Sequence, residues 1–209
     1  MQKKEFPHRM SHRRLLTVLF ASSALVAPAT ASAGPLVANA PNCAAQSESQ
    51  VFLPWADVAS YILAPGGAAE SSDGWTLTGG AAIGAGNEPA HVTSASDSSS
   101  LSLPAGASAT TAEMCVGVTR PDLRFFVSSS WGGSVKVDVL FEDASGNVQT
   151  APVGVAGGGA WAPTAPMPIA ASLLPLLPGS YTPVEFRFTS TGSATVHIDD
   201  VYVDPWGSR

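Results

Sequence analysis

A period-two alternation of apolar and polar residues is the feature that most constrains how this chain can fold. Val and Phe recur at every second position over 135–141 and again over 184–188, and charged residues such as Lys136, Asp138 and Arg187 fall between them. Successive side chains of a strand point to opposite faces of a sheet. Each segment therefore predicts a half-buried antiparallel strand.

Shorter strand-like segments continue this pattern along the chain. They are separated by clusters of Gly, Pro, Asn and Asp and lie at Ser60–Ala64, Trp75–Thr78, Ala90–Thr93, Ser100–Leu103, Thr111–Val118, Leu123–Ser128 and Val148–Val153. Residues 144–147 predict a hairpin turn between two long strands. Repeated prolines limit 166–178 to a packed loop with at most one short helical turn. We predict an all-β protein, a single antiparallel β-sandwich.

The first 33 residues have the three parts of a secretory signal peptide. A basic head is followed by the short apolar run 15–27, and Ala31-Ser32-Ala33 provides the small residues of a cleavage site. The run is too short to span a bilayer, which takes about 20 residues. We expect cleavage after Ala33, a loosely ordered leader over 34–50, a sandwich domain over 51–209, and a secreted protein.

The charge balance excludes two classes of partner. The chain has 10 Lys plus Arg and 16 Asp plus Glu. The signal peptide contains five of the bases and one acid, so the mature chain has 5 against 15 and a net charge of −10. Such a surface disfavours nucleic acid and an anionic membrane, because both are bound through clustered cations. We expect a monomer that binds neither.

Two cysteines, Cys43 and Cys115, fit an exported protein. An even number of cysteines in an oxidising compartment predicts a disulfide bond between them. By the chain-entropy estimate, a bridge across this long loop stabilises the fold by about 4 kcal/mol. A reactive thiol is the competing interpretation, but Glu113 near Cys115 disfavours the thiolate.

Two adjacent carboxylates, Asp199 and Asp200, lie inside the last strand-forming segment, 195–206. One of them should face a packed side of the sandwich unless the strand bulges there. A buried carboxylate needs a partner, so the pair predicts either a hydrogen-bonded structural site or a bound cation.

Both ends of the sandwich domain resemble galactose-binding-like jelly rolls, a group that includes many carbohydrate-binding modules. The opening segment 64–75 has a Gly-rich turn, then Glu70, then Trp75, and the segment 198–201 resembles the closing strand. The chain also resembles a group of secreted actinobacterial proteins, which implies no particular activity. The first resemblance implies that the β-sandwich is of jelly-roll type, and that Glu70 and either Asp199 or Asp200 share a structural calcium ion.

The residues themselves allow calcium without requiring it. Hard cations take several oxygen ligands, which carboxylates and the carbonyls of a Gly-rich turn can provide. The alternative is that Asp199 and Asp200 accept backbone N–H groups while Glu70 lies in solvent. Zinc is disfavoured, because His91 and His197 are the only histidines outside the signal peptide and neither has a close Cys or His.

Of the five tryptophans, Trp131 is our candidate for ligand binding. It lies in Ser128-Ser129-Ser130-Trp131-Gly132-Gly133, a tight connection in which a large ring has few neighbours to pack against. An exposed indole can stack on the apolar face of a sugar. Arg124, Lys136 and Arg187 alternate outward on their strands and could supply donors from one sheet face. A Trp folded over the sandwich end, beside an ordinary solvated face, is the alternative.

The sequence thus favours a secreted, non-catalytic binding module for polysaccharide or cell-wall glycan. A structural or adhesive envelope protein without sugar binding is the alternative. We expect no enzyme activity: the Gly-x-Ser-x-Gly elbow, phosphate loops and nucleotide fingerprints are all missing from the sequence. His197 and Asp199 share a strand face, but the sequence places no nucleophile beside them.

Overall fold

The computed structural model describes residues 36, 46–117, 120–143, 145–170 and 181–205. All of them belong to one compact unit, Ala31–Arg209. The predicted signal peptide and Cys43 lie outside the described residues. Among the residues that are described, no helix is long and apolar enough to cross a membrane.

Strands dominate the described chain. The first half contains β1 Glu48–Ser49, β2 Tyr61–Leu63, β3 Trp75–Thr78, β4 Ala82–Ala85, β5 Ser99–Leu103, β6 Ser108–Thr111 and β7 Met114–Gly117. The second half contains β8 Asp122–Ser129, β9 Val135–Glu142, β10 Val148–Ala156, β11 Gly159–Pro163, β12 Met167–Pro168, β13 Tyr181–Ser190 and β14 Val196–Asp204. A 3-10 turn covers Leu53–Trp55.

These strands form two antiparallel sheets. In sheet A, β14 pairs with β8 along one edge and with β5 and β2 along the other; β4 extends from β5, β1 from β2, and β11 and β12 from β8. In sheet B, the order is β10-β9-β13-β6-β3, and β7 also pairs with β13. The chain passes repeatedly from one sheet to the other, as in a jelly roll. The predicted all-β sandwich is confirmed.

The main core lies between the sheets and follows the predicted alternation. Val135, Val137 and Val139 of β9 and Phe186 and Phe188 of β13 are completely buried in it. The predicted hairpin joins β9 to β10 with Val148 opposite Glu142. Asp143 organises this turn, because its Oδ1 accepts the N–H groups of Ser145 at 2.8 Å and Asn147 at 3.0 Å.

A second apolar cluster lies on the outer face of sheet A. Phe126 and Tyr202 face away from the main core, because they alternate with Phe125 and Val203, which are part of it. The segment 50–58 covers them and inserts Phe52, whose ring lies 6.0 Å from that of Phe126. Sheet A is therefore packed on both faces along part of its length.

Three expectations about local structure need correction. The predicted strand Ala90–Thr93 is wrong: those residues belong to the long connection 86–98 between β4 and β5. The predicted strand Thr111–Val118 is divided between β6 and β7 by two residues outside either strand. The strands β4 and β11 were not predicted, because their Gly and Ala residues lack the alternating large side chains on which the pattern depends.

Candidate functional site

Five connections meet at one end of the sandwich, which we call the uncharged end: 79–81, 104–107, 130–134, 157–158 and 191–195. Hydrogen bonds join several of them, since Ser193 N–H donates to Gly132 O at 3.0 Å and Gly106 N–H to Ser190 O at 3.1 Å. Not one Asp, Glu, Lys, Arg or His occurs in these five segments. Their polar groups are hydroxyls and backbone amides.

Trp131 lies in the connection between β8 and β9 at this end, and 99% of its surface is exposed. The connection itself is braced. Gly133 N–H donates to Ser130 O at 3.0 Å, and Ser129 Oγ donates to Gly133 O at 3.2 Å. A nearly free indole is thus carried by a hydrogen-bonded turn. Of the two arrangements that the sequence left open, an exposed ring and a ring folded over the sandwich end, the structure has the exposed ring, while a role in binding stays a prediction.

Close backbone packing explains the glycines around this turn. A Cβ on Gly192 would lie 2.1 Å from Gly132 O, so only glycine fits where the two connections cross. Gly132 itself has a φ of +87°, a left-handed conformation that side chains rarely adopt. The Gly-Gly pair after Trp131 therefore fixes the direction of the chain at the position of the ring.

The three predicted donors do not line one face with Trp131. Lys136 and Arg187 lie on the outer face of sheet B, where both contact Asp138, at 2.9 Å and 3.4 Å. Arg124 lies on β8 of sheet A, five residues before the strand ends at Ser129. A strand rises about 3.3 Å per residue, so Arg124 is about 17 Å from the uncharged end.

Arg124 is also buried, contrary to the prediction that it faces outward into solvent. It is 5% exposed. Its Nη1 donates to Asp57 Oδ2 at 2.7 Å, and its Nε donates to the carbonyl of Thr164 at 2.9 Å. Its guanidinium lies 4.2 Å from the centre of the Phe52 ring. The reason for the burial is the segment 50–58, which folds over this part of sheet A.

Asp199 and Asp200 lie at a bulge in β14, between its two stretches of pairing with β8. Asp200 has a φ of +50°, and because of the bulge both residues are buried, at 0% and 1% exposure. Asp199 accepts the backbone N–H of Glu88 at 3.0 Å and that of Asp200 at 2.9 Å. The expectation that a buried carboxylate has partners is confirmed for Asp199.

Glu88 is a third carboxylate at this place, and the sequence reasoning missed it. It is completely buried in the connection 86–98, where it accepts the N–H groups of Ala90 at 2.5 Å and Val92 at 2.8 Å. Asp199 and Glu88 in series therefore fix this connection to β14. The pair Glu88-Pro89 after Gly86 indicates a turn, but nothing in that pattern shows that the acid is buried.

The predicted calcium ligands are engaged unequally. Glu70 accepts the N–H groups of Ser98 at 2.9 Å and Ser99 at 2.8 Å, and both oxygens of Asp199 accept N–H groups. Asp200 Oδ1 accepts the hydroxyl of Thr93, but its Oδ2 is buried and has no hydrogen-bond partner among the residues that the structure describes. The same holds for Asp97 Oδ2 and Asn87 Oδ1 on the facing connection.

Such acceptor oxygens suit a hard cation. Within the described ranges, however, no three His, Cys, Asp or Glu side chains are already arranged as a set that could hold a metal. The calcium site stays a prediction. The oxygens that suit it best are the buried ones described above, Asp200 Oδ2, Asp97 Oδ2 and Asn87 Oδ1.

The pKa values of the buried pair are raised. Burial raises the pKa of Asp199 to about 8. The nearby Asp200 and Glu88 carboxylates raise this pKa further, while the two N–H groups that Asp199 accepts lower it. Burial also raises the pKa of Asp200 to about 7; the Thr93 hydroxyl opposes it, while Glu88 and Asp97 raise it further. The Glu88 side chain can accept a hydrogen bond from protonated Asp200. A proton is thus an alternative to a cation for neutralising this site.

Cys115 lies in β7 and is completely buried. Its predicted partner Cys43 is outside the described residues, so the disulfide remains a prediction.

No protein-family model matches the chain, and no curated protein matches it. Solved structures do show similarity of fold. A xylanase 10B fragment from Clostridium thermocellum, described as family 22 carbohydrate-binding and family 10 glycoside hydrolase modules with xylohexaose, matches with a TM-score of 0.47 and 14% identity over 67% of this chain. The match covers 28% of that chain, so this protein spans less than a third of its length.

A xylan-binding domain from Paenibacillus barcinonensis matches with a TM-score of 0.44 and 14% identity over 68% of this chain and 93% of that one. The enzymatically active domain of a bacteriophage CBA120 tailspike protein matches with a TM-score of 0.44 and 18% identity over 66% of this chain and 20% of that one. These three matched structures thus include carbohydrate-binding modules and an enzyme domain, each with a TM-score below 0.5.

Proposed function

We propose that this chain is a secreted carbohydrate-binding module without catalytic activity of its own, and that Trp131 is its stacking platform. The observation that carries the proposal is the 99% exposure of Trp131 on a braced turn. A large aromatic side chain buries 150–250 Å² when packed, and apolar burial is worth about 25 cal/mol per Å². Exposure of the indole therefore forgoes about 4–6 kcal/mol of apolar burial, and a ligand that covers the ring recovers part of it.

The surroundings of Trp131 suit a neutral sugar. Ser130, Thr191 and Ser193 are exposed at the same end and can exchange hydrogen bonds with sugar hydroxyls. Because the uncharged end carries no ionisable side chain, it provides no counter-charge for a uronate, a phosphate or a cationic peptide. The apolar face of a pyranose stacks on an indole without needing charge. We infer that the ligand is a neutral polysaccharide or cell-wall glycan.

Trp131→Ala tests this function. Loss of one stacking ring should remove on the order of 1 kcal/mol or more, which weakens glycan binding at least about fivefold. The melting temperature should stay unchanged, because the ring packs against almost nothing. Affinity electrophoresis and calorimetry with neutral xylan and β-1,4-galactan provide the measurement. Val148→Ala is the control, since Val148 is 46% exposed on β10, at the strand end opposite the uncharged end.

Two results would contradict the proposal in different ways. If the variant binds glycan as well as the parent does, Trp131 is not the platform. If the parent binds no glycan in the same assays or on an array, the sugar-binding function fails. The structural or adhesive alternative then becomes the better account of an exposed tryptophan.

We also propose a structural calcium ion at the bulge of β14, beside Asp200. Its support is the buried Asp200 Oδ2, which has no hydrogen-bond donor, facing a connection in which Asp97 and Asn87 also have buried oxygens without partners. Calcium added after chelation should raise the melting temperature, because an ion that binds only the folded state stabilises it. An unchanged melting curve at millimolar calcium would leave protonation as the way in which this site is neutralised.

A further inference from the structure

A groove on the outer face of sheet A is separate from Trp131 and from the carboxylates of β14. Its volume is about 310 Å³, and it is lined by Trp55, Ala56, Asp57, Val58, Arg124 and Pro166. It lies where the segment 50–58 crosses the first half of β8. The sequence reasoning placed Arg124 beside a ligand on Trp131; the structure places it in this groove instead.

Trp55 forms an aromatic wall whose orientation is fixed. Its ring contacts that of Phe126 edge-on at 5.2 Å and that of Phe52 at 6.2 Å. The side chain still keeps 37% of its surface exposed. An aromatic ring already held in place loses little conformational entropy when a ligand stacks on it.

Arg124 and Asp57 provide a donor and an acceptor side by side. Asp57 is held by Arg124 Nη1 at 2.7 Å, by the Tyr61 hydroxyl at 2.7 Å and by Ala59 N–H at 3.1 Å. Burial raises the pKa of Asp57, but the hydrogen bonds from Tyr61, Ala59 and Arg124 together keep it below its ordinary value. The carboxylate is therefore ionised at neutral pH, and the two charges cancel.

We propose that this groove is a second sugar site, which takes a single neutral ring stacked on Trp55 with its hydroxyls directed at Arg124 and Asp57. The proposal rests on the proposed carbohydrate-binding function but not on Trp131. Vicinal hydroxyls of a sugar both donate and accept hydrogen bonds, which complements a fixed carboxylate beside a guanidinium. An acidic sugar would gain no net charge pairing from the neutral Arg124–Asp57 pair, and its carboxylate would lose hydration in the groove, so an acidic sugar is disfavoured.

The size of the groove limits the ligand to about one ring. Its volume is at the lower end of the range for small-molecule sites, about 300–1,000 Å³. The distance from Arg124 to the uncharged end, about 17 Å along β8, means that one ring cannot contact Arg124 and Trp131 together. The groove and the uncharged end therefore bind independently when the ligand is a monosaccharide.

The indole N–H signals of the full chain, labelled with ¹⁵N-tryptophan, test this. Trp55→Phe and Trp131→Phe assign the two signals. D-xylose, D-galactose and D-glucose are the neutral probes, and D-glucuronate is the charged one. We expect a saturable shift of the Trp55 signal with at least one neutral sugar and none with glucuronate. Calorimetry with the same sugar should show binding that is at least about fivefold weaker for Trp55→Ala, which lacks the Trp55 signal, and unchanged binding for Trp131→Ala.

Val58→Trp keeps the test decisive if Trp55→Ala loosens the aromatic cluster. Val58 is 60% exposed and lines the groove, so a larger side chain there obstructs it without removing a packed contact. This variant should also abolish the Trp55 shift. The proposal is overturned if no neutral sugar moves the Trp55 signal, if glucuronate moves it equally, or if Trp131→Ala abolishes the shift. A Trp55 response without any response of Trp131 to glycan would support the groove and contradict the platform.

Discussion

Asp200→Asn is the substitution that separates a charge effect from a packing effect at the bulge of β14. Asn has almost the same shape as Asp and is one of the few residues that tolerate the left-handed φ of +50° found here. Its carbonyl can accept the Thr93 hydroxyl. Its NH₂ group can donate toward Glu88, which the aspartate can do only when protonated. The variant therefore removes a buried charge and adds a donor.

The magnitude follows from the raised pKa of Asp200. Folding moves this pKa from its ordinary value of 3.8 to about 7, so the folded state binds more protons than the unfolded chain between these values. Stability then falls as pH rises from about 4 to 7 and becomes level above that. At about 1.4 kcal/mol per pKa unit, the raised pKa of Asp200 lowers the free energy of unfolding by at most about 4 kcal/mol at pH 8, where the folded carboxylate is ionised, and by about 2 kcal/mol at pH 5, where it is protonated.

Urea unfolding with EDTA at pH 5 and pH 8 measures this cost. We expect Asp200→Asn to be more stable than the parent at pH 8, by up to about 4 kcal/mol, and to depend less on pH. Added calcium should stabilise the parent and not the variant, if the ion binds Asp200. Asp73→Asn, which removes an exposed acid, is the control for net charge. Equal destabilisation of Asp200→Asn at both pH values would refute the charge argument and leave hydrogen bonding as the role of Asp200.

Three further predictions concern the rest of the sandwich. Arg124→Met should lower the free energy of unfolding by about 3–5 kcal/mol, because it leaves the half-buried Asp57 without its cation. Lys136→Met is the comparison: its side chain is 45% exposed, so its loss should cost less than about 1 kcal/mol. Gly192→Ala should destabilise the fold and weaken glycan binding together, because its Cβ would collide with Gly132 O; unchanged binding would show that the Trp131 turn tolerates displacement. Intact mass of the secreted protein should correspond to a chain that begins at Gly34 with Cys43 and Cys115 oxidised, and free thiols would exclude the bridge.

The alternation of side chains was enough to predict the sandwich. In β9 and β13, Val and Phe at every second position bury one face, and the structure places them between the sheets. The same reasoning failed for 90–93, where Val92 and Thr93 have strand propensity. There the Glu88 carboxylate accepts the N–H groups of Ala90 and Val92, which leaves fewer of them for a strand ladder. Local propensity did not anticipate a buried side chain that replaces strand pairing.

For the candidate site too, the local sequence indicated some features and not others. For Trp131, the short Ser and Gly residues around it suggested an exposed ring, but a ring folded over the sandwich end was the alternative that the sequence left open. Burial of Arg124 was not predictable, because it depends on Phe52 and Asp57, about 70 positions earlier in the chain. The role of Glu88 depends in the same way on Asp199, 111 positions away. Contacts between distant segments decide burial, and alternation within one strand cannot reveal them.

Ionisable side chains are unevenly distributed between the bulge of β14 and the uncharged end. The carboxylates whose pKa values rise to about 8 and about 7, Asp199 and Asp200, lie at the bulge of β14, whereas the connections around Trp131 contain no ionisable group. Electrostatic effects on a neutral ligand at the uncharged end should therefore be small at ordinary ionic strength, where the Debye length is about 8–10 Å. We therefore expect binding of a neutral glycan at Trp131 to be nearly independent of pH, and of calcium at concentrations that would stabilise the fold through the proposed site.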